Sequence, residues 1–184
     1  GGGEGSGTDG KEPGAGTVPE GGLSKFDSTF VYDGMGHTIA TNELVAAFAA
    51  RLGAEPFAIA YVQGVVGKGI PSEGWSAVAP TYTNVGEYLV WYRVTSANYE
   101  DFVHSAKVTI TPAAIGLVAD GATGEYCGLG YGITVNVSKP ASGYTVKYAE
   151  SAEGPWLDAL EYVTVCTEKP IAYQVTAERY TAAA

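Results

Sequence analysis

Basic residues are scarce in this chain, and their scarcity narrows the classes of function. Ten lysines and arginines stand against 20 acidic residues, which gives a formal net charge of −10. The ten are scattered singly, so the basic patch with which proteins hold a phosphate backbone is missing. We therefore exclude nucleic acid as an expected partner, and the acidity is typical of a soluble extracellular chain.

Histidine, cysteine and long apolar runs are scarce as well. The two histidines, His37 and His104, are far from the two cysteines, Cys127 and Cys166, so a four-ligand zinc site is not expected. No apolar run approaches the roughly 18 residues of a membrane span. The sequence motifs of serine hydrolases, zinc proteases, P-loop proteins and dinucleotide-binding folds are missing too. We expect a non-catalytic chain with no metal, no cofactor and no membrane span.

Glycine is abundant at the start of the chain. Residues 1–22 are Gly-rich and contain Pro13, Pro19 and four acids. Such a segment buries too little apolar surface to offset the entropy of ordering it. It is predicted to be a flexible linker.

The rest of the chain repeats itself. Residues 32–37 (Tyr-Asp-Gly-Met-Gly-His) return as residues 126–131 (Tyr-Cys-Gly-Leu-Gly-Tyr), and residues 91–99 return as residues 171–180. Two copies of a β-rich module indicate an array. We predict one domain over 23–112 and a second over 113–184, each of roughly 80 residues and able to hold one small core.

Runs rich in Val, Thr and Tyr alternate with turn residues, which favours an all-β fold of two tandem Ig-like antiparallel β-sandwiches. The predicted strands lie near 28–33, 56–63, 86–96 and 103–111, and near 114–119, 132–138, 143–150 and 170–177. The second copy ends where the first enters its last strand. We expect that strand to be missing from the second sandwich, or its edge to be unpaired.

One segment has helical rather than strand periodicity. Residues 41–53 have a possible cap at Thr41 or Asn42, apolar residues at 44, 45, 48 and 52, and a terminal Gly53. This pattern predicts a short amphipathic helix inserted in the first copy. The second copy has a plain strand there, at 134–138. We expect the apolar stripe to pack onto its own domain rather than onto a partner.

The strand over 87–94 places Tyr88, Val90, Tyr92 and Val94 on one face by the period of two. We predict that this face is core and that Tyr173 and Val175 occupy the same places in the second copy. Its tyrosines are expected to bury their rings and bond their hydroxyls to backbone, as in a tyrosine corner.

With these motifs, both copies resemble the bacterial Ig-like surface repeats of the MBG/YDG type. Those repeats open with a Tyr-Asp-Gly-x-x-His-like motif, as residues 32–37 do, and later carry a Pro-x-Tyr-Thr-x-x-Gly-x-Tyr-x-Val run, as residues 80–90 do. The resemblance covers about 28–112 and, more weakly, 115–181. It implies an extracellular repeat of a large cell-surface or cell-wall-associated protein such as an adhesin.

Cys127 and Cys166 are both in the second copy, at the starts of two predicted strands. A pair of cysteines in a surface protein suggests a disulfide. Two free thiols in a reducing habitat remain the alternative.

Trp75 and Trp156 occupy related positions after a predicted hairpin loop. We expect each to plug a sheet edge, and the alternative is a sugar-stacking platform with exposed rings.

Two functions follow from these expectations. The first is a monomeric spacer or stalk segment, or structural adhesin module, of a secreted cell-surface protein, whose partners are neighbouring repeats of the same polypeptide. The second is a module that binds a host glycan or protein through exposed aromatics or the inserted helix.

Overall fold

The computed structural model describes residues 26–184, so the predicted linker over 1–22 lies outside the described residues. The chain is strand-rich. Its elements, in chain order, are β1 (Ser28–Val31), α1 (Thr41–Leu52), β2 (Phe57–Gln63), β3 (Gly86–Ser96), β4 (Tyr99–Thr111), β5 (Ala113–Ala114), β6 (Gly116–Asp120), β7 (Thr134–Lys139), β8 (Tyr144–Ala149), β9 (Ala172–Ala177) and β10 (Tyr180–Thr181). The predicted helix and the eight predicted strands each have a counterpart in this order. No helix within residues 26–184 is long and apolar enough to cross a bilayer.

The chain divides into two compact units. The first contains the described residues 26–30 and 34–110, and the second contains Val31–Asp33 and Thr111–Ala184.

The first unit is built on a four-stranded sheet in the order β1-β4-β3-β2. The central pair, β3 and β4, is antiparallel and runs from the pair Ser96–Tyr99 at the turn to the pair Gly86–Ile110 at the far end. Strand β2 borders β3 on its other side, also antiparallel. Strand β3 therefore has a partner along both edges.

The inward face of β3 forms the centre of the first core. Val90, Tyr92 and Val94 are buried, whereas Tyr88 is only half-buried, so the predicted core face is confirmed for three of its four members. The Tyr92 ring meets Phe26 edge-on at 6.0 Å. On the same face of the sheet, β4 supplies the buried side chains of Ala106, Val108 and Ile110.

The tyrosines of β3 differ in how their hydroxyls are bonded. The Tyr88 hydroxyl donates to the carbonyl of Asn84 at 2.8 Å, which is the bond to backbone expected of a tyrosine corner. The buried Tyr92 hydroxyl has no hydrogen-bond partner among the described residues. The expected bond to backbone is therefore correct for Tyr88, whose ring is only half-buried, and wrong for Tyr92, whose ring is fully buried as expected.

Helix α1 covers part of the same core. Leu44, Phe48 and Leu52 are buried, and the Phe48 ring contacts Phe102 of β4 with centroids 5.3 Å apart. The helix ends at Gly53, whose φ of 63° favours glycine. The predicted side-chain cap is wrong: the N-cap residue is Ala40, with no side-chain cap bond. Packing of the apolar stripe stabilises this helix in place of a cap.

Whereas the first unit has a single four-stranded sheet, the second has six strands in three two-stranded ladders. Its ladders are β6–β7 and β8–β9, both antiparallel, and the short parallel pair β5–β10. Strand β7 replaces the helix, as predicted for residues 134–138. Tyr32 also belongs to this unit, since its backbone N–H donates to the carbonyl of Thr111 and its ring meets Tyr180 edge-on.

Four backbone pairings of the first unit recur at equivalent positions of the second. The pairs His37–Tyr82, Tyr61–Ser76, Tyr61–Tyr92 and Val94–Phe102 correspond to Tyr131–Tyr162, Tyr148–Leu157, Tyr148–Tyr173 and Val175–Ala183. The turn glycine also recurs, since Gly34 has a φ of 77° and Gly128 a φ of 78°. The sequence repeat is therefore a repeat of backbone structure.

We predict that Leu44→Ala lowers the free energy of unfolding by about 2–5 kcal/mol, because it leaves a cavity in a closed core. Val45→Ala is the matched control: Val45 is 45% exposed on the same helix, and its change is expected to stay within about 0.5 kcal/mol. Urea denaturation followed by circular dichroism measures both. Equal losses for the two variants would contradict the orientation of α1.

We predict that Tyr92→Phe leaves stability at pH 8 unchanged or raises it by up to about 1 kcal/mol, because it removes an unbonded buried hydroxyl. Burial, with a smaller contribution from Asp27, raises the pKa of Tyr92 from 10.0 to about 12. The folded state thus retains a proton that the unfolded state releases. The contribution of this retained proton to the free energy of unfolding is fully present below pH 10 and is lost as the pH rises towards 12.

Denaturation of the parent chain, Tyr92→Phe and the control Tyr88→Phe at pH 8 and pH 11 tests this prediction. The Tyr92→Phe substitution should reduce the loss of stability between the two pH values, and Tyr88→Phe should not. A larger loss at pH 8 for Tyr92→Phe than for Tyr88→Phe would contradict the absence of a hydroxyl partner.

Candidate functional site

A groove of about 490 Å³ lies in the second unit. One side is formed by residues 121–126 and the segment around Leu129 and Tyr131. The other is formed by residues 162–169 and Ile171. Neither 121–126 nor 163–171 belongs to a strand, so loop segments line both sides.

The lining of the groove is mainly apolar and aromatic. Tyr126, Leu129, Val163 and Val165 contribute side chains that are 68%, 70%, 53% and 82% exposed. Apolar surface left open in this way marks a place where another group can be buried.

Tyr131 organises one side of the groove. Its hydroxyl donates to the carbonyl of Glu125 at 2.9 Å, and the Cys127 sulfur lies 3.4 Å from the same oxygen. The Tyr131 hydrogen bond, helped by a backbone bond from Leu129, lowers the pKa of the Cys127 thiol. The ring lies against Gly124, where an added Cβ would be 2.5 Å from the hydroxyl oxygen.

Tyr162 and Lys169 organise the other side. The Lys169 Nζ lies 4.8 Å from the centre of the Tyr162 ring, within the range of a cation–π contact. The Tyr162 hydroxyl donates to Glu150 at 3.4 Å. The equivalent place in the first unit holds a stacked pair, Tyr82 and Tyr88, with centroids 4.1 Å apart.

The structure brings no three His, Cys, Asp or Glu side chains together anywhere in residues 26–184 in a way that could hold a metal ion. His37 stacks on Phe30 at 4.0 Å, and its backbone pairs with Tyr82, so its ring is used in packing.

The cysteines named from the sequence are both in the second unit as free, exposed thiols. Cys166 lines the groove, whereas Cys127 contacts Tyr131. The disulfide between Cys127 and Cys166 therefore stays a prediction.

The tryptophans named from the sequence are both half-buried. The Trp75 indole donates to the carbonyl of Pro71 at 3.1 Å, and the Arg93 guanidinium lies 4.6 Å from the ring centre. Trp156 follows Gly154, which has a φ of 84°. Neither tryptophan lines the groove.

Sequence reasoning did not identify Tyr126, Tyr131, Tyr162 and Lys169 as site residues. The signal was present in the alignment of the two copies, where Tyr131 replaces His37 and Lys169 replaces Tyr88. Each replacement removes a ring that stacks on a neighbouring ring in the first unit, His37 on Phe30 and Tyr88 on Tyr82.

The chain as a whole matches no family model, no curated protein and no solved structure. The groove must therefore be interpreted from its own geometry.

We predict that Gly124→Ala lowers the unfolding free energy by about 1–3 kcal/mol, because the new methyl group would overlap the Tyr131 ring. Gly121→Ala is the matched control, since an added Cβ there meets no atom within 4 Å. Thermal denaturation of both variants measures the difference. A loss as large in Gly121→Ala as in Gly124→Ala would contradict the packing of Tyr131 against this glycine.

Proposed function

We propose that this chain is a non-catalytic extracellular repeat segment of a bacterial cell-surface protein, built as two tandem Ig-like sandwiches of the MBG/YDG type. Its role is that of a spacer, stalk or structural adhesin module. Its partners are neighbouring repeats of the same polypeptide, and it acts as a monomer.

The observation that carries the proposal is the recurrence of four backbone pairings in the two units, such as His37–Tyr82 and Tyr131–Tyr162. Repetition of one small β module adds length without adding a reaction centre. Added length without a reaction centre is the property that a spacer needs.

The use of side chains supports the same proposal. The helix that could have served as a binding element buries Leu44, Phe48 and Leu52 within its own unit. Trp75 has one ring neighbour in Arg93 and a bond to Pro71. These residues are engaged in packing, which leaves less of them for a ligand.

The alternative function is recognition of a host glycan or protein through Trp75, Trp156 or the helix. Half-burial of both tryptophans keeps this alternative open, because part of each ring faces solvent. A sugar-stacking site needs one flat ring face free of protein atoms.

We predict that the full 184-residue chain gives no saturable binding on glycan and host-protein arrays. Trp75→Ala, Trp156→Ala and the control Tyr144→Ala, at a side chain 38% exposed, are printed beside it. A saturable signal that disappears in either tryptophan variant and persists in Tyr144→Ala would overturn the spacer proposal. Such a signal would establish the binding module instead.

A further inference from the structure

Along β9 and the residue before it, an inward side chain is buried only where the backbone also pairs on the side away from β8. In the first unit, Val90, Tyr92 and Val94 are all buried on β3, which pairs with β4 along its length. Their equivalents are Ile171, Tyr173 and Val175. Only Val175, which pairs with Ala183, is buried, and the other two are half-exposed.

The pair Val175–Ala183 has the same register as the pair Val94–Phe102 of the first unit. Val94 pairs with Phe102, eight residues further along the chain, and Val175 pairs with Ala183, again eight residues further. Two backbone bonds of 2.8 and 3.0 Å join Val175 and Ala183 in both directions. The backbone is therefore set in the β3–β4 arrangement at this point.

The groove lies where the rest of that strand would run. In the first unit, β4 is the neighbour of both β1 and β3. By the repeat, β1 corresponds to residues 122–125 and the early part of β3 to residues 167–171. Both segments line the groove. The groove therefore lies between the two segments with which an equivalent of β4 would pair.

On the edge of β9 that faces away from β8, three residues have backbone N–H and C=O groups directed so that they can bond such a strand. Tyr148 exchanges bonds with Leu157, so its antiparallel partner Tyr173 directs its own N–H and C=O away from β8. By the period of two, Ile171 and Lys169 have the same direction. Within residues 26–184, none of the three pairs with another strand on that side.

Pro170 fits this arrangement although proline cannot donate a ladder bond. Its equivalent, Leu89, accepts from the N–H of Gly64 on the β2 side of the sheet. The missing N–H therefore falls on the side away from the groove. All donors that a docking strand needs are retained.

Glu168 shows that the edge is bent while the groove is open. Its φ is 46°, a left-handed conformation that side chains with a Cβ adopt only at a cost. A strand docked on this edge would draw Glu168 to extended backbone, as in a regular ladder.

We propose that the groove of the second unit is the acceptor site for one extended β-strand, delivered in continuation of Ala184 and antiparallel to residues 167–174. The strand takes the register of residues 104–111 on β3. Its chemistry is that of this segment: small and apolar residues, as at Ala106, Val108 and Ile110, on the core face. The inference holds whether the chain is a spacer or a binding module.

The test compares the parent chain with one that carries a copy of the sequence of residues 104–111 after Ala184. Amide hydrogen exchange is measured at Lys169, Ile171 and Tyr173. We expect the extension to slow exchange roughly tenfold or more at these three amides, because each becomes part of a closed ladder. The melting temperature of the second unit should rise with it.

The matched control carries the same extension with proline in place of the two residues that correspond to Ala106 and Val108, which removes donors facing the groove edge. Equal exchange rates in the extended chain and the proline control would overturn the proposal. A third arm adds the eight-residue peptide unattached. Protection by the free peptide at equimolar ratio, as strong as in the attached form, would overturn delivery through Ala184 and assign the groove to a strand of a separate polypeptide.

Failure of this test would leave the spacer proposal intact, because the spacer proposal depends on the array result and not on the groove. Success would not establish a spacer either. The two proposals are therefore tested by separate measurements.

Discussion

The two units differ in how far their central core strand is paired, and the burial of its inward side chains follows that difference. In the first unit, β3 lies between β2 and β4, and Tyr92 is 0% exposed. In the second unit, β9 has β8 on one side and a single pair, Val175–Ala183, on the other. The groove and the bend at Glu168 are both adjacent to this unpaired edge.

Four backbone pairings are kept in both units, whereas the side chains that cover them are not. The stacked Tyr82 and Tyr88 of the first unit are replaced by Lys169 over Tyr162. The stack of Phe30 on His37 is replaced by the Tyr131 ring over Gly124. Backbone hydrogen bonds fix these pairings, and the neighbouring position can then be filled by an aromatic ring, a cation or a glycine.

Sequence periodicity predicted the elements well because both periods were strong locally. The alternation at Val90, Tyr92 and Val94 and the helical spacing of Leu44 and Phe48 each reflect burial, which decides structure at short range. The helix cap was wrong because the start of α1 is fixed by contacts of Ala40, whose N–H donates to the carbonyl of Phe26, and these are distant in sequence. An unpaired edge in the second unit was expected from the sequence, whereas the groove beside it was not, because loop residues that belong to no binding motif line it.

The contact of Tyr32 with the second unit has a practical consequence for dissecting the protein. The ring of Tyr32 lies 5.8 Å from that of Tyr180, and the Arg179 guanidinium is 5.7 Å from its centre. A gene fragment cut at the sequence repeat, beginning at residue 113, would omit this tyrosine and expose the rings and the short β5–β10 ladder that it accompanies. Because the second unit is not one contiguous stretch, a fragment that keeps all of it would need Val31–Asp33 as well as Thr111–Ala184.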